Sequence, residues 1–537
     1  MFDIPTTYDA KNRIWSGAKR SSIYGEDVSV GRLIFNAMKN WPKNVFQIYD
    51  TEDVKVTNGE GLAWAIRLAQ HFKKRGLNHT DVIGIAAKNT TYVMPLGVAC
   101  LMNTTPFHSI NPMLDEDTLR HIFKITKPTL IFCDGQEYAK VYAATTSPTW
   151  KPEIYTLTDP IIGVPTIESL LTPTTTEMFY SPEPLKSGAE QTMAILCSSG
   201  TTGLPKAVCM SNSTLIPENV PITSETVIFV QSGLDWITGL WAFVASTLIG
   251  CTRIITSQPF NPEYFIKLVN KYKISYAVLP PRYLAALTTC PDATPEALAP
   301  IRMMSYGGGM ASVATMERAR ELCKGAIFTC AYAMTEVGGI TVNIGLSNAS
   351  SAGKPSAGIK IRIVDENGKS LPHNEVGEIY VHTSQTWNGY YGNPLESRRM
   401  QDYEGWFHTG DLGYFDDRNY LYIVDRKKEI LKYQGLHYWP TEIENVIAEL
   451  QQVQDVCVVG VYDERHGDAA GALVVKRQGS TISARDIEEH VAKRLTGIQK
   501  QLNAGVRFTD KLPTNVNGKV VRKAAREVFV AQNGAAV

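Results

Sequence analysis

The chain has 537 residues, 44% of them hydrophobic and 20% charged, with 53 Lys and Arg balancing 53 Asp and Glu. That length holds about three to four domain-sized units, and the ordinary globular composition excludes a disordered or fibrous protein. With no net charge there is no global field to hold a polyanion, so nucleic acid and anionic membrane are disfavoured and a small ligand is expected.

The nine cysteines form no CxxC pair and are odd in number, which argues against a disulfide framework. The first residues lack a basic cap followed by an apolar run, so no secretory leader is expected. The longest apolar stretch, 237–251, is shorter than a bilayer span needs and reads as a buried helix, so no integral membrane association is expected. The C-terminus carries neither a Ser-Lys-Leu-type peroxisomal address nor a prenylation box. Cytoplasmic residence is the expectation.

Helical and extended patterns alternate along most of the chain, which predicts an α/β architecture with parallel sheets. Thr57-x-x-Glu60 reads as a capping box opening a helix through Leu62, Ile66 and Ala69, stopped by Gly76. Strands are predicted at 82–87, 129–133, 192–197 and 275–279, while 147–187, rich in Pro and Thr, reads as a surface connection. From about 354 short strands with turn signals suggest a compact β-rich subdomain. After Asp425, a helix capped by Thr441-x-x-Glu444, a strand at 457–461 and a helix at 484–495 predict a small α+β domain.

The sharpest motif follows a predicted strand: Ser198-Ser199-Gly200-Thr201-Thr202-Gly203-Leu204-Pro205-Lys206. Two glycines permit a tight backbone, four hydroxyls can donate to phosphate oxygens, and a lysine adds positive charge, so a triphosphate is the natural guest. The spacing is not that of a Walker loop, and a proline stands before the lysine, so a kinase or P-loop ATPase is not expected. Composition alone is equally that of a flexible surface loop.

Further motifs follow in order: Tyr306-Gly307-Gly308-Gly309, Tyr332-Ala333-Met334-Thr335-Glu336, Gly405-Trp406-Phe407-His408-Thr409-Gly410-Asp411, Asp425-Arg426-Lys427-Lys428 and Asn517-Gly518-Lys519. The series resembles the adenylate-forming enzymes across nearly the whole chain, closest to the branch of acyl-CoA synthetases, 4-coumarate-CoA ligases and beetle luciferases. The resemblance implies a large N-terminal domain (1–424) of two stacked αβ subdomains plus a β-barrel-like subdomain. A hinge (425–428) then leads to a small mobile α+β C-terminal domain (429–537). It implies ATP, Mg2+ and coenzyme A as cofactors, and a small carboxylic acid as substrate.

By the same resemblance Thr335 meets the α-phosphate and Glu336 the magnesium, a hard carboxylate oxygen for a hard cation. Asp411 and Arg426 contact the ribose, and Tyr332 stacks on adenine. Lys519, on an Asn-Gly turn tip, bridges the attacking carboxylate and the α-phosphate. Lys432, Gln434 and Gly435 form the face for the second half-reaction, where Gly435 lets backbone approach a pantetheine thiol. Trp236, Gly308 and Ala333 line the acyl pocket. Taken singly, Thr335-Glu336 could be a solvated helix start, Asp411 a turn residue, Tyr332 core, and Lys427 and Lys428 a solvated linker.

Only 18 residues follow Lys519, so no fused carrier domain is expected and the thiol acceptor arrives from solution. Relatives often carry Gly where this chain has Ala207 and Ala333, and Gln-Gly where it has Cys330-Ala331. The segment Gly233-Leu234-Asp235-Trp236-Ile237 lacks the family's histidine; Trp236 takes its place, and Asp235 is either a turn residue or an ammonium ligand. An ATP-dependent acid-CoA ligase for an apolar fatty or aryl acid is therefore expected. The alternatives are a luciferase-like monooxygenase and a catalytically silent nucleotide-binding paralogue.

Overall fold

The computed structural model describes residues 4–21, 24–25, 27–198, 204–217, 221–346, 348, 350–515 and 519–532. Two α/β units form the bulk of the fold. In the first, Ile83–Ala86, Phe107–Ser109, Leu130–Asp134, Glu153–Thr158 and Thr192–Ser198 make a parallel sheet, edged by antiparallel Lys206–Ser211. Leu130–Asp134 is buried throughout, which is why its residues read as a continuous apolar run and not an alternation.

In the second unit, Val45–Tyr49, Thr252–Ile255, Val227–Val230, Tyr276–Leu279, Met303–Gly307 and Ile327–Met334 run parallel within a nine-stranded sheet. The helix Ile237–Ile249 is the buried element its composition predicts. Leu240, Phe243 and Val244 pack into the same core as Val98, Leu101 and Phe107, so the helix ties the two units together. Among the described residues no helix is long and apolar enough to cross a membrane.

The β-rich segment folds as a six-stranded antiparallel sheet, in which the N-terminal hairpin Thr6–Asp9 and Ile14–Gly17 joins Ile359–Val364, Gly377–Thr383, Phe407–Phe415 and Leu421–Arg426. A bridge from Gly353 to Leu421 attaches the preceding connection to its far strand. Beyond it, Val453–Asp463 and Gly467–Lys476 pair over eleven and ten residues, with the helices Pro440–Ile447, Ala484–Arg494 and Arg522–Ala531 packed around them. The passage between these parts is tied to both sides: Lys427 pairs with Glu378 of the barrel-like sheet at 2.8 Å, and Glu429 with Arg522 of the last helix at 2.7 Å.

Two local expectations are corrected. The stretch 147–187 is not all connection, because Glu153–Thr158 is a buried strand paired with Leu130–Asp134. Thr441 and Glu444 form no capping box. Thr441 lies inside the helix and its N–H donates to Asp425 Oδ2 at 3.2 Å, while Glu444 is taken by Arg522. The Thr57–Glu60 box is formed as expected.

Candidate active site

The phosphate-loop motif joins Thr192–Ser198 to Lys206–Ser211. Ser199, Gly200, Thr201, Thr202 and Gly203 lie outside the described residues. Its two ends are register partners, and the Lys206 N–H donates to Ser198 Oγ at 3.3 Å. Lys206 Nζ stands 2.6 Å from Glu396 Oε2 and 4.9 Å from the centre of the Tyr390 ring, whose hydroxyl donates to Glu336 Oε1 at 2.7 Å. The loop lysine and the expected magnesium ligand therefore share one patch, and burial pulls the Glu336 carboxyl above its ordinary range.

Tyr390 and Glu396 were not anticipated. The only local signal was Asn393-Pro394-x-Glu396, which caps a short helix at Asn393 and says nothing of Lys206. The segment that carries Tyr390 is held to the hairpin by Cys209 N–H to Gly389 O and Tyr391 N–H to Ala207 O.

Gly307 ends the strand Met303–Gly307, and a Cβ there would lie 2.8 Å from the Ala331 carbonyl oxygen, so the close approach of the next strand requires glycine. Gly308, at φ +81°, turns the chain by a conformation that side chains disfavour, and Gly309 follows. Tyr332 lies on that next strand, its hydroxyl donating to Asp411 Oδ2 at 2.7 Å. Arg426 Nε lies 3.4 Å from the other oxygen, Oδ1. Burial, then the Asp411 charge, hold the Tyr332 phenol far above its usual range. Thr335 and Glu336 follow, both half-buried.

Lys519 is brought to the same place by the small C-terminal unit. As a residue it is exposed, yet protein surrounds it closely enough for dehydration, and then Arg426, to lower its ammonium pKa to about 8, against the opposing pull of Asp411 and Glu429. Lys428 is lowered as well, by burial and by Arg426. Lys428 thus stands in the field of Arg426, Lys519 and Lys206, a row of cations interleaved with the carboxylates Asp411, Glu429, Glu396 and Glu336.

Other expected residues are not gathered here. Lys432, Gln434 and Gly435 lie exposed on the hairpin Leu431–Tyr433 and Leu436–Tyr438, whose turn residues Gln434 and Gly435 have φ of +48° and +82°. Among the described residues no ion pair joins Lys432 to the cleft. Trp236 precedes the buried helix Ile237–Ile249, and Ala333 is exposed beside the bulge after Tyr332. Asp235 lies in a four-residue turn closed by the Trp236 N–H, which donates to Gly233 O at 3.3 Å. Burial raises its carboxyl pKa to about 6.

A core of parallel strands beside which Lys206 and Glu336 share a patch, with Tyr332, Asp411 and Arg426 clustered next to Lys519, is an arrangement suited to a nucleotide-using α/β enzyme. Residues 34–391 match the family model described as AMP-binding enzyme, and 442–519 match its C-terminal domain. The chain belongs to the AMP-binding enzyme family. It is 31% identical to a 4-coumarate–CoA ligase of Pinus taeda over 366 residues, 65% of this chain and 67% of the relative. It is 26% identical to a luciferin 4-monooxygenase of Photinus pyralis over 530 residues, 94% and 95% of the two chains. Among solved structures, ATP-bound MatB from Rhodopseudomonas palustris superposes with a TM-score of 0.81 at 22% identity, over 94% of this chain and 99% of that one, a likeness of fold.

Proposed function

We propose that this enzyme is an AMP-forming acid–CoA ligase acting on an apolar fatty or aryl carboxylic acid. A carboxylate oxygen attacks the α-phosphorus of ATP and pyrophosphate leaves; the thiol of CoA then attacks the acyl carbon of the mixed anhydride and AMP leaves. The observation that carries the proposal is the meeting of Lys519 with Arg426 and Asp411, a tip ammonium beside the pair suited to a ribose.

In this assignment Ser198, Lys206 and the loop between them hold the β- and γ-phosphates, Gly307, Gly308 and Gly309 admit the nucleotide's backbone-close edge, and Tyr332 offers a ring to adenine. Asp411 accepts from ribose hydroxyls and Arg426 steadies it. Thr335 donates to the α-phosphate. Lys519 meets charge as it concentrates on the pentacoordinate phosphorus, so its contribution is larger in the transition state than before it. No trio of His, Cys, Asp or Glu suited to a metal occurs among the described residues, so a magnesium ion would be held by Glu336 together with phosphate oxygens, whose charge it would offset.

For the second half-reaction the assignment is that residues 429–537 rotate about 425–428 against residues 1–424, bringing Lys432, Gln434 and Gly435 to the acyl carbon. Trp236, Gly308 and Ala333 shape the acid's pocket in this scheme. AMP is a good leaving group and a thiol already carries some thiolate near neutral pH, so no dedicated base is invoked.

Pyrophosphate release measured over a panel of fatty and aryl acids, with and without CoA, tests the proposal. Release with at least one acid, and an acyl-thioester only when CoA is present, is expected; no release with any acid defeats it. A luciferase-like oxygenation is the second reading, supported by the likeness to the Photinus enzyme along nearly the full chain. Light from luciferin, ATP and oxygen would establish it.

A further inference from the structure

The cation at the exit of the phosphate-loop motif is already engaged. Lys206 Nζ stands 2.6 Å from Glu396 Oε2 and 4.9 Å from the centre of the Tyr390 ring, so a carboxylate takes one of its three N–H groups and an aromatic ring covers another side. The two side chains of the pair keep 35% and 28% of their surface, which leaves both within reach of a ligand from solvent.

Both partners are anchored through their backbones. The Lys206 N–H donates to Ser198 Oγ at 3.3 Å, and Lys206–Ser211 pairs with Thr192–Ser198. On the other side the Glu396 N–H donates to Asn393 Oδ1 at 3.2 Å, and its second carboxylate oxygen, Oε1, meets Arg399 Nη1 at 2.5 Å. The Tyr390 N–H donates to Ser397 Oγ at 2.8 Å, and Tyr390 is bridged to Val208. The turn that bears Glu396 is thereby tied to the strand that bears Lys206, and the pair is a product of the fold.

A carboxylate fixed beside that ammonium alters what an anion meets there. Its bond to Lys206 above all holds the Glu396 carboxyl below the ordinary range, so it is ionised near neutral pH. Arg399, its other partner, has a side chain 79% exposed and is screened by solvent, so it offsets Glu396 only weakly. Glu336, which accepts from the Tyr390 hydroxyl, adds a second carboxyl group to the patch.

We propose, on the assignment of Lys206 to the β- and γ-phosphates, that Glu396 is a positioning residue for pyrophosphate departure: it fixes the Lys206 ammonium and offsets its charge. When the bond between the α-phosphorus and its bridging oxygen breaks, the electron pair stays on that oxygen. Pyrophosphate therefore carries more negative charge than the same atoms did within ATP. An unopposed lysine holds such a product more tightly than the substrate it came from. The carboxylate beside Lys206 opposes the product most, and so favours its release.

Calorimetric titration of the full-length protein with inorganic pyrophosphate and with ATP, without acid or CoA, tests this. Glu396→Gln is expected to bind pyrophosphate about three- to fivefold more tightly than the parent, the order set by one partly exposed ion pair, and to gain less for ATP. In turnover its inhibition constant for pyrophosphate should fall by the same factor; a merely structural lesion does not tighten binding. Lys206→Met should weaken pyrophosphate binding, and adding Glu396→Gln to it should recover nothing. Unchanged or weaker pyrophosphate binding by Glu396→Gln, a larger gain for ATP than for pyrophosphate, or the same gain with Lys206 absent would overturn the inference, while ATP binding by the parent would leave the nucleotide assignment standing. A parent that binds neither ATP nor pyrophosphate would overturn both.

Discussion

Asp411 and Arg426 stand directly opposite one another on the antiparallel strands Phe407–Phe415 and Leu421–Arg426, with Nε 3.4 Å from Oδ1. Tyr332 donates to the second oxygen at 2.7 Å. The Tyr332 bond and the Arg426 charge orient the carboxylate, and its remaining lone pairs are open to the ribose hydroxyls of the proposed nucleotide. Removing the charge forfeits hydrogen bonds of the charged kind, each ~1.5–3 kcal/mol. Asp411→Asn is therefore expected to raise the KM for ATP roughly 10- to 100-fold in ATP–pyrophosphate exchange. Tyr332→Phe, which removes only the positioning bond, should raise it less than about tenfold. An unchanged KM in Asp411→Asn would remove this residue from the nucleotide site.

How far such pairs were legible in the sequence depends on whether the partner is local. Thr57 and Glu60 lie one helical turn apart and their box is formed. Thr441 and Glu444 have the same spacing, but Asp425 and Arg522 outcompete the local arrangement from other elements. The Lys206–Glu396 pair and the Tyr390–Glu336 bond left no mark in any motif, because each joins residues whose proximity exists only after the hairpin and the 389–391 segment have paired. Glu153–Thr158 was hidden by its Pro- and Thr-rich flanks, although its own Ile154, Tyr155 and Leu157 are buried as strand residues should be. The Gly307 and Gly308 run was picked out by resemblance alone, and its physical reason, a close backbone approach at the first and a positive φ at the second, is visible only in the fold.

The two half-reactions should separate at Lys519. Lys519→Ala is expected to slow adenylation by roughly 100- to 1000-fold, the order seen when one preorganised charge partner is lost. Thioester formation from supplied acyl-adenylate should change far less, because the proposed rotation withdraws that residue. Rapid-quench measurements of each step decide the matter, and equal losses in both would contradict the alternation of faces.

The same lysine sets a pH dependence. Dehydration and the Arg426 charge lower its pKa to about 8 in the free enzyme, and kcat/KM reports free-enzyme ionisations. The protonated form is the useful one, so kcat/KM for adenylation should be level below that pH and fall as the pH rises through it. Because Lys519 is exposed, solvent screening can place the limb above 8 but not above the ordinary lysine range. Lys519→Arg keeps its charge throughout the accessible range. Its slower reaction should therefore lack the alkaline limb. A limb of the same position in both proteins would assign the ionisation elsewhere.

Asp235 supplies a test of stability. Burial raises its carboxyl pKa from 3.8 to about 6 in the folded protein. Between those values the folded chain binds more protons than the unfolded one, so stability falls as pH rises. The cost is absent below pH 3.8 and complete above about 6. A shift of that size corresponds to ~3 kcal/mol at most. Asp235 keeps partial contact with solvent, which reduces the effect to about 1 kcal/mol. Asp235→Asn, which retains the shape without the charge, should therefore be more stable than the parent in denaturant titrations at pH 7.5. The difference should shrink toward zero as the pH is lowered to 4. A variant that is less stable at pH 7.5 would mean that the carboxylate has a stabilising partner in the turn and carries no net burial cost.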